Sequence, residues 1–253
     1  MTNDITYKDY VYDDAHMKDY SEYQNRYAKT IRESDKVLIE IIRNLAAVDL
    51  KRGKRPALLD IGCSTGNLLL HLKHTLPGLE LWGGDMAPGI IAECQNNPPL
   101  QGIQFEEMNV LDISYKNQFD FIIANVMLFA LNNEEFDAAF TCIGTALQPK
   151  GWLVVFDLIH PFEQEITIIE KSKLHPKGLK LHFRGYSRVK DSLKKAGFSN
   201  PDFKPFHIPI DLKRPSEPAD ITSYTIQSVD GQRMSFRGTL FQPWCHLVAQ
   251  KSG

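Results

Sequence analysis

From Ala57 onward, short apolar runs alternate with stretches whose apolar residues recur every third or fourth position. That alternation predicts a parallel sheet covered by helices on both faces. Strands are expected at 57–60, 79–84, 103–108, 119–125 and 152–158. Helices fit between them. Residues 67–75 carry a leucine face, and 87–95 has Pro88 in its first turn, where a missing N–H costs nothing. Residues 133–147 set Phe136, Ala139, Phe140, Ile143 and Leu147 on one stripe before Pro149-Lys150-Gly151 stops it. A last helix, 187–196, takes Ser187 as N-cap and Gly197 as its stop. Strands 203–210 and 241–250 follow with no helix between them, so they are expected to pair antiparallel at the sheet edge.

Three segments lie outside this alternation. Residues 1 to about 53 hold six of the nine tyrosines, with Tyr20, Tyr23 and Tyr27 at helical spacing. An amphipathic helix continues through Val37, Leu38, Ile41, Ile42 and Leu45. The second segment is 161–185. The third, 212–239, contains two strand-like runs, 224–229 and 232–236, around Asp230-Gly231, a strong hairpin signal. The chain therefore divides into an N-terminal helical cap or lid, 1–53, and an α/β domain, 54–253, with 161–185 and 212–239 as insertions.

Composition changes this picture little. At 253 residues, 43% of them apolar, the chain can bury an ample core. A net charge of −2 gives no general reason to bind DNA or an acidic membrane. Lys51-Arg52-Gly53-Lys54-Arg55 is the local exception, read as a solvated linker or an anion-steering patch. Cys63, Cys94, Cys142 and Cys245 form no CxxC pair and have no histidine at metal spacing, which fits reduced thiols in the cytoplasm and no metal. The N-terminus is polar rather than a signal peptide, and no run is long enough to span a bilayer.

The chemistry concentrates in Leu58-Leu59-Asp60-Ile61-Gly62-Cys63-Ser64-Thr65-Gly66, followed by Gly84-Asp85. An acid about 20 residues past a glycine turn, at the tip of the next parallel strand, is placed to hold ribose hydroxyls. As the competing role, Asp85 caps the following helix. Ser64 stands where a dinucleotide-binding turn has its middle glycine, and Asp60 puts a carboxylate on the floor of the site. A carboxylate there repels a pyrophosphate and accepts from an ammonium. S-adenosylmethionine, a ribose with a cationic amino-acid tail, meets both demands.

LLDIGCSTG resembles the first motif of the class I S-adenosylmethionine-dependent methyltransferases of small-molecule type, with Ser64 in place of a glycine. Asp85-Met86 is similar to that family's second-strand acid and its apolar neighbour, which hold ribose and flank adenine. Met108-Asn109-Val110-Leu111-Asp112 resembles the segment that reads the adenine edge, with Asn109 where the family usually has Asp. The runs 119–125 and 147–152 resemble the fourth motif and the turn before the fifth strand. The resemblance implies a Rossmann-like, seven-stranded, mostly parallel sheet with helices on both faces, an N-terminal helical lid and a C-terminal β-hairpin insertion. It further implies cofactor contacts from Asp60, Gly62, Cys63, Gly66, Asp85, Met86, Asn109, Val110 and Asn125. Tyr27 and Arg26 would close over the cofactor from the N-terminal segment, whose alternative role is a hydrophobic cap on the sheet.

Methyl transfer demands alignment more than chemistry from the protein. His160, following the fifth strand, is the candidate general base; its alternative role is to shape the loop before Pro161. The expected activity is methyl transfer to oxygen or nitrogen of a small molecule by a monomer or homodimer. A cofactor-binding but inactive regulatory protein and an RNA-directed methyltransferase are the alternatives.

Overall fold

The computed structural model describes residues 5–173 and 175–253; Met1–Asp4, part of the stretch read as lacking a signal peptide, lie outside them. The chain opens with three helices, α1 (Lys8–Val11), α2 (Asp14–Asn25) and α3 (Glu33–Lys51). It then alternates β1 (Ala57–Ile61), α4 (Asn67–Thr75), β2 (Glu80–Asp85), α5 (Pro88–Asn96), β3 (Gln104–Glu107), β4 (Phe119–Asn125), α6 (Asn133–Ala146) and β5 (Leu147–His160). After β5 come the strand pair β6 (Ile166–Glu170) and β7 (Leu179–Gly185), then α7 (Tyr186–Lys195) and β8 (Phe198–Pro205). A separate three-stranded antiparallel sheet, β9 (Ser223–Gln227), β10 (Arg233–Arg237) and β11 (Leu240–Phe241), precedes the last strand, β12 (Trp244–Lys251).

The main sheet runs β3-β2-β1-β4-β5-β12-β8. Its pairs are parallel except those of β12, which lies antiparallel between β5 and β8. The order reverses between β1 and β4, so the ligand crevice of a doubly wound sheet is expected over the carboxyl ends of these two strands. This is the Rossmann-like sheet that the alternation and the resemblance pointed to. It carries two strands more than the expected seven, because β6 and β7 form an antiparallel pair that joins the tip of β5 through Ile159–Arg184 and His160–Gly185.

One face of the sheet is covered by α6 and α7, with Phe136, Phe140, Ile143, Val189 and Leu193 on Leu59, Ile122 and Val155. The other is covered by α3 and α4, with Leu38, Ile42, Leu69 and Leu72 on Leu58, Ile123 and Val154. Asn132 and Glu135 cap α6 reciprocally, satisfying backbone donors at its start.

Some boundaries differ from the sequence reading. Gly185, not Ser187, is the N-cap of α7, because β7 runs straight into the helix and leaves Ser187 inside its first turn. β8 begins at Phe198 and ends at Pro205, ahead of the expected 203–210, because its register is set by pairing with β12. α2 ends at Asn25, so Tyr27 falls in the turn beyond it. No helix among the described residues is long and apolar enough to cross a membrane.

Candidate functional site

The turn after β1 places Gly62, Ser64 and Gly66 at φ +76°, +50° and +73°. A side chain is strained in that region, and a Cβ at Gly66 would stand 2.9 Å from Leu100 Cδ1. The backbone N–H groups of Gly62 and Cys63 donate to the Gly84 carbonyl at 2.7 and 3.0 Å, tying the turn to the end of β2. Asp85 completes the tie: Oδ2 accepts from Ser64 N and Oδ1 from Ala87 N, each at 3.0 Å. Each carboxylate oxygen keeps a lone pair for a further donor. Asp85 therefore supports the start of α5 and remains available to ribose. The thiols of Cys63 and Cys94 both donate to the Ser64 carbonyl, at 3.7 and 3.3 Å. The hydrogen bond with Cys94 and burial push the Cys63 thiol up, so it stays a packing group.

Around this turn lie two buried carboxylates, Asp60 and Asp35, and the half-buried Asp85. Asp60 is 2% exposed, its Oδ1 has no hydrogen-bond partner, and burial, then Asp35 and Asp85, push it well above the usual carboxylate range. Asp35, on α3, is also 2% exposed; its Oδ1 accepts from Asn125 Nδ2 at 3.1 Å. Burial raises it, with Arg32 and Asn125 opposing. Burial raises Asp85 too, against its backbone hydrogen bonds. Ser64 Oγ and Asn125 Oδ1 are likewise buried without partners. Buried polar atoms left unpaired are costly. Together they suit a ligand with a cationic group and several donors, which is the chemistry of an adenosyl amino acid.

The N-terminal segment roofs this pocket. Asn67 Nδ2 donates to the Gln24 carbonyl at 2.7 Å, and His71 Nε2 lies 2.9 Å from the Tyr27 carbonyl. Desolvation of its hydroxyl end raises the Tyr20 phenol, although the residue as a whole is partly exposed. Arg32 donates to Gln24 Oε1 and lies 3.9 Å over the Tyr27 ring. Arg26 is exposed against Tyr23, 4.9 Å from its ring centroid. The cation turned to the acidic pocket is thus Arg32, which the sequence reading did not single out, and Tyr27 contributes a carbonyl and a ring beneath it. Asp35 also escaped that reading. Its signal was an acid in line with Leu38, Ile42 and Ala46 on the buried stripe of α3.

Beyond Asp85 opens a cavity of about 340 Å³ lined by Tyr12, Met86, Glu106, Glu107, Met108, Asn109, Asp112 and Ser114. Asn109 Oδ1 accepts from Leu111 N at 2.9 Å, which fixes the side chain and leaves its amide N–H groups and the second lone pair of Oδ1 for a ligand. Val110 is buried in the core beneath.

On the opposite side, Asp157 holds the segment after β4, accepting from Leu128 N and Phe129 N at 2.9 and 3.1 Å. Burial raises it to about 6. Buried Arg184 donates to the Leu128 and Leu131 carbonyls and lies 4.0 Å over Phe136. Asn125 pairs with Phe156, and β5 continues to His160, about 13 Å farther at roughly 3.3 Å per residue. His160 is 5% exposed, with neither ring nitrogen in a hydrogen bond, and burial lowers its pKa against the carbonyls of Phe162 and Phe183. The structure thus brings together Asp60, Gly62, Cys63, Gly66, Asp85, Met86, Asn109 and Asn125, and sets His160 apart, at the far tip of β5. No group of three or more metal-ligating side chains occurs among the described residues.

Residues 58–151 match the family model described as a methyltransferase domain. A demethylmenaquinone methyltransferase from Thermus thermophilus is 32% identical over 120 residues, covering 46% of this chain and 53% of that protein. A carboxy-S-adenosyl-L-methionine synthase from Helicobacter pylori is 25% identical over 148 residues, 58% of this chain and 59% of its own. The chain thus spans about half the length of these relatives. Among solved structures, the 1,6-didemethyltoxoflavin-N1-methyltransferase of Burkholderia thailandensis, with bound 1,6-didemethyltoxoflavin and S-adenosylhomocysteine, superposes with a TM-score of 0.57. That match covers 94% of this chain and 87% of the other at 14% identity, a likeness of fold.

Proposed function

We propose that this chain, whose residues 58–151 match a methyltransferase domain, is a class I S-adenosylmethionine-dependent enzyme that transfers a methyl group to oxygen or nitrogen of a small molecule. The observation that carries this reading is the conjunction at the strand tips: a left-handed glycine turn, Asp85 anchored between that turn and α5, and Asp60 buried with a partnerless oxygen. In this reading Asp85 holds the ribose hydroxyls. Met86 flanks the adenine, and Asn109 donates its amide N–H to the ring. Asp60 faces the ammonium. Arg32, not Arg26, faces the carboxylate from the N-terminal roof. When bound, the cofactor supplies a methyl group already activated on a sulfonium, so the protein's work is positioning and the exclusion of water.

The acceptor side is formed by the segments above the strand ends. Glu106, Glu107 and Asp112 on the cavity rim oppose a polyphosphate backbone, which favours a small acceptor over RNA. His160 sits at the tip of β5, apart from the rim; burial keeps its ring neutral near pH 7, and it serves as general base only to an acceptor that reaches past the rim to it. The reading is tested with purified full-length protein, labelled cofactor and metabolite extracts. Acceptor-dependent formation of S-adenosylhomocysteine is expected, and failure of calorimetry to detect cofactor binding overturns the reading. His160→Ala is expected to lower turnover about 100-fold with cofactor affinity intact. Full activity in that variant removes His160 from the chemistry.

A further inference from the structure

We propose that Asp35 makes the cofactor site selective for charge: a second buried carboxylate, carried in by α3 and held by Asn125, that favours the cationic sulfonium form of the cofactor over its neutral thioether product. The inference rests on the cofactor reading above and assigns a residue outside the matched methyltransferase domain, which begins at residue 58.

Asp35 occupies the buried stripe of α3, in line with Leu38, Ile42 and Ala46. An acid there is costly without a partner, and the hydrogen bond it receives comes from a neutral amide, Asn125 Nδ2 at the tip of β4. The groups facing it are Arg32 and Ser34 from its own helix and its approach, His71 from α4, Asn125 from β4 and Asp60 from β1. His246, on β12, donates Nε2 to the Ser34 carbonyl at 3.2 Å and is kept neutral by burial. Arg32 is therefore the fixed cation set against Asp35, Asp60 and Asp85. More acids than cations face this pocket, and Asp60, held well above the usual carboxylate range by burial and its acidic neighbours, offers a partnerless oxygen to an ammonium.

The ligand before and after reaction differs in one respect that such a surplus can read. In the transfer, the acceptor's lone pair forms the new bond to the methyl carbon. The S–C electron pair stays on sulfur, and the acceptor's proton leaves for a base or solvent. Ammonium and carboxylate are unchanged; the sulfonium charge is gone. An acid beyond the one needed for the ammonium therefore favours the substrate form and, after transfer, faces no cation, which weakens product retention.

The test is calorimetry of the full chain with S-adenosylmethionine and with S-adenosylhomocysteine at pH 7. The wild type is expected to prefer the sulfonium form about tenfold. Asp35→Asn keeps the size of the side chain and is expected to weaken the sulfonium form about tenfold while changing the thioether less than threefold. Asp60→Asn is expected to weaken both alike, because the ammonium is common to them. Equal losses for the two ligands in Asp35→Asn, or no loss for either, overturn the proposal. Should that variant fail to fold, the wild-type preference itself decides. Burial raises the Asp35 pKa, opposed by Arg32 and the Asn125 hydrogen bond, so its charge is lost earlier than an ordinary carboxyl's as pH falls. The preference must shrink as pH falls, and a preference independent of pH overturns the proposal. If the wild type binds neither ligand, the cofactor reading fails instead.

Discussion

The rim of β1, β2 and β4 and the layer of segments above it are built by different means. At the rim the backbone makes the contacts: Gly62 and Cys63 donate to Gly84, Ser64 and Ala87 donate to Asp85, and three residues of one turn hold positive φ. In the layer above, side chains from distant parts of the chain meet. Tyr10 packs on His16 and His175 at 4.8 and 5.3 Å, Lys177 reaches Asp13 at 3.3 Å, and Arg237 of β10 grips Glu170 of β6 at 3.0 and 3.2 Å. A backbone-built site dictates residue types at fixed spacing and so recurs between relatives. A side-chain-built layer leaves those choices open. The matched residues 58–151 cover the first and stop short of the second.

The sharpest way to break that division is Asp85→Ala. Two charge-assisted hydrogen bonds to ribose are each worth roughly 1.5–3 kcal/mol, so cofactor affinity is expected to fall at least about 100-fold. The same variant frees Ser64 N and Ala87 N, loosening the turn while leaving the Arg237–Glu170 and Tyr10–His175 contacts in place. Calorimetry reads the affinity. An unchanged value would mean that Asp85 only supports α5 and that the rim is not the nucleoside site.

A smaller effect probes the joint between the two regions. His246, 1% exposed and stacked on Phe156 at 4.4 Å, ties β12 to the start of α3 through the Ser34 carbonyl. Burial holds it down to about 4, below the 6.5 of the unfolded chain. The unfolded state thus takes up this proton first as pH falls. The stability tied to a neutral His246 is complete above pH 6.5 and is lost toward pH 4, about 2 kcal/mol of it by pH 5. His246→Phe should remove that share of the acid sensitivity in urea unfolding at pH 7 and pH 5. Identical pH dependence in wild type and variant would sink the assignment.

The same contrast explains what the sequence disclosed. Strand ends and the turn at 62–66 were legible because tight geometry admits few residues: glycine at positive φ, an acid at the strand tip, apolar runs in strands buried on both faces. The hairpin around Asp230-Gly231 was legible for the same reason, since Ser228 N–H and the Gln232 carbonyl close it over a turn that needs Gly231 at φ +83°. Arg32 and Asp35 were not. Their placement depends on how α3 lies across the sheet, a tertiary fact with no local signature beyond one acid on an apolar stripe. Tyr27 was read as a continuation of the Tyr20–Tyr23 helical spacing, and α2 had already ended at Asn25. The β6–β7 pair also escaped, because its strands are held by β5's tip and by each other rather than by a turn motif.

The gentlest test acts within the upper layer alone. Burial alone would push the Glu170 carboxyl up; the hydrogen bonds from His175 and Arg237 more than offset it, bringing it down to about 2. Glu170 passes that order on to the N-terminal roof through His175, which faces Tyr10 and His16. Arg237→Ala leaves Glu170 half-buried with one partner gone, and the loosening expected in α1 and α2 is about 1 kcal/mol, or fivefold faster amide exchange there. Exchange at 57–66 should stay as it is, because those amides are held by Gly84 and Asp85 rather than by the roof. Faster exchange in the turn as well would show that the two regions open as one unit, and the division between a backbone-built rim and a side-chain-built roof would not survive it.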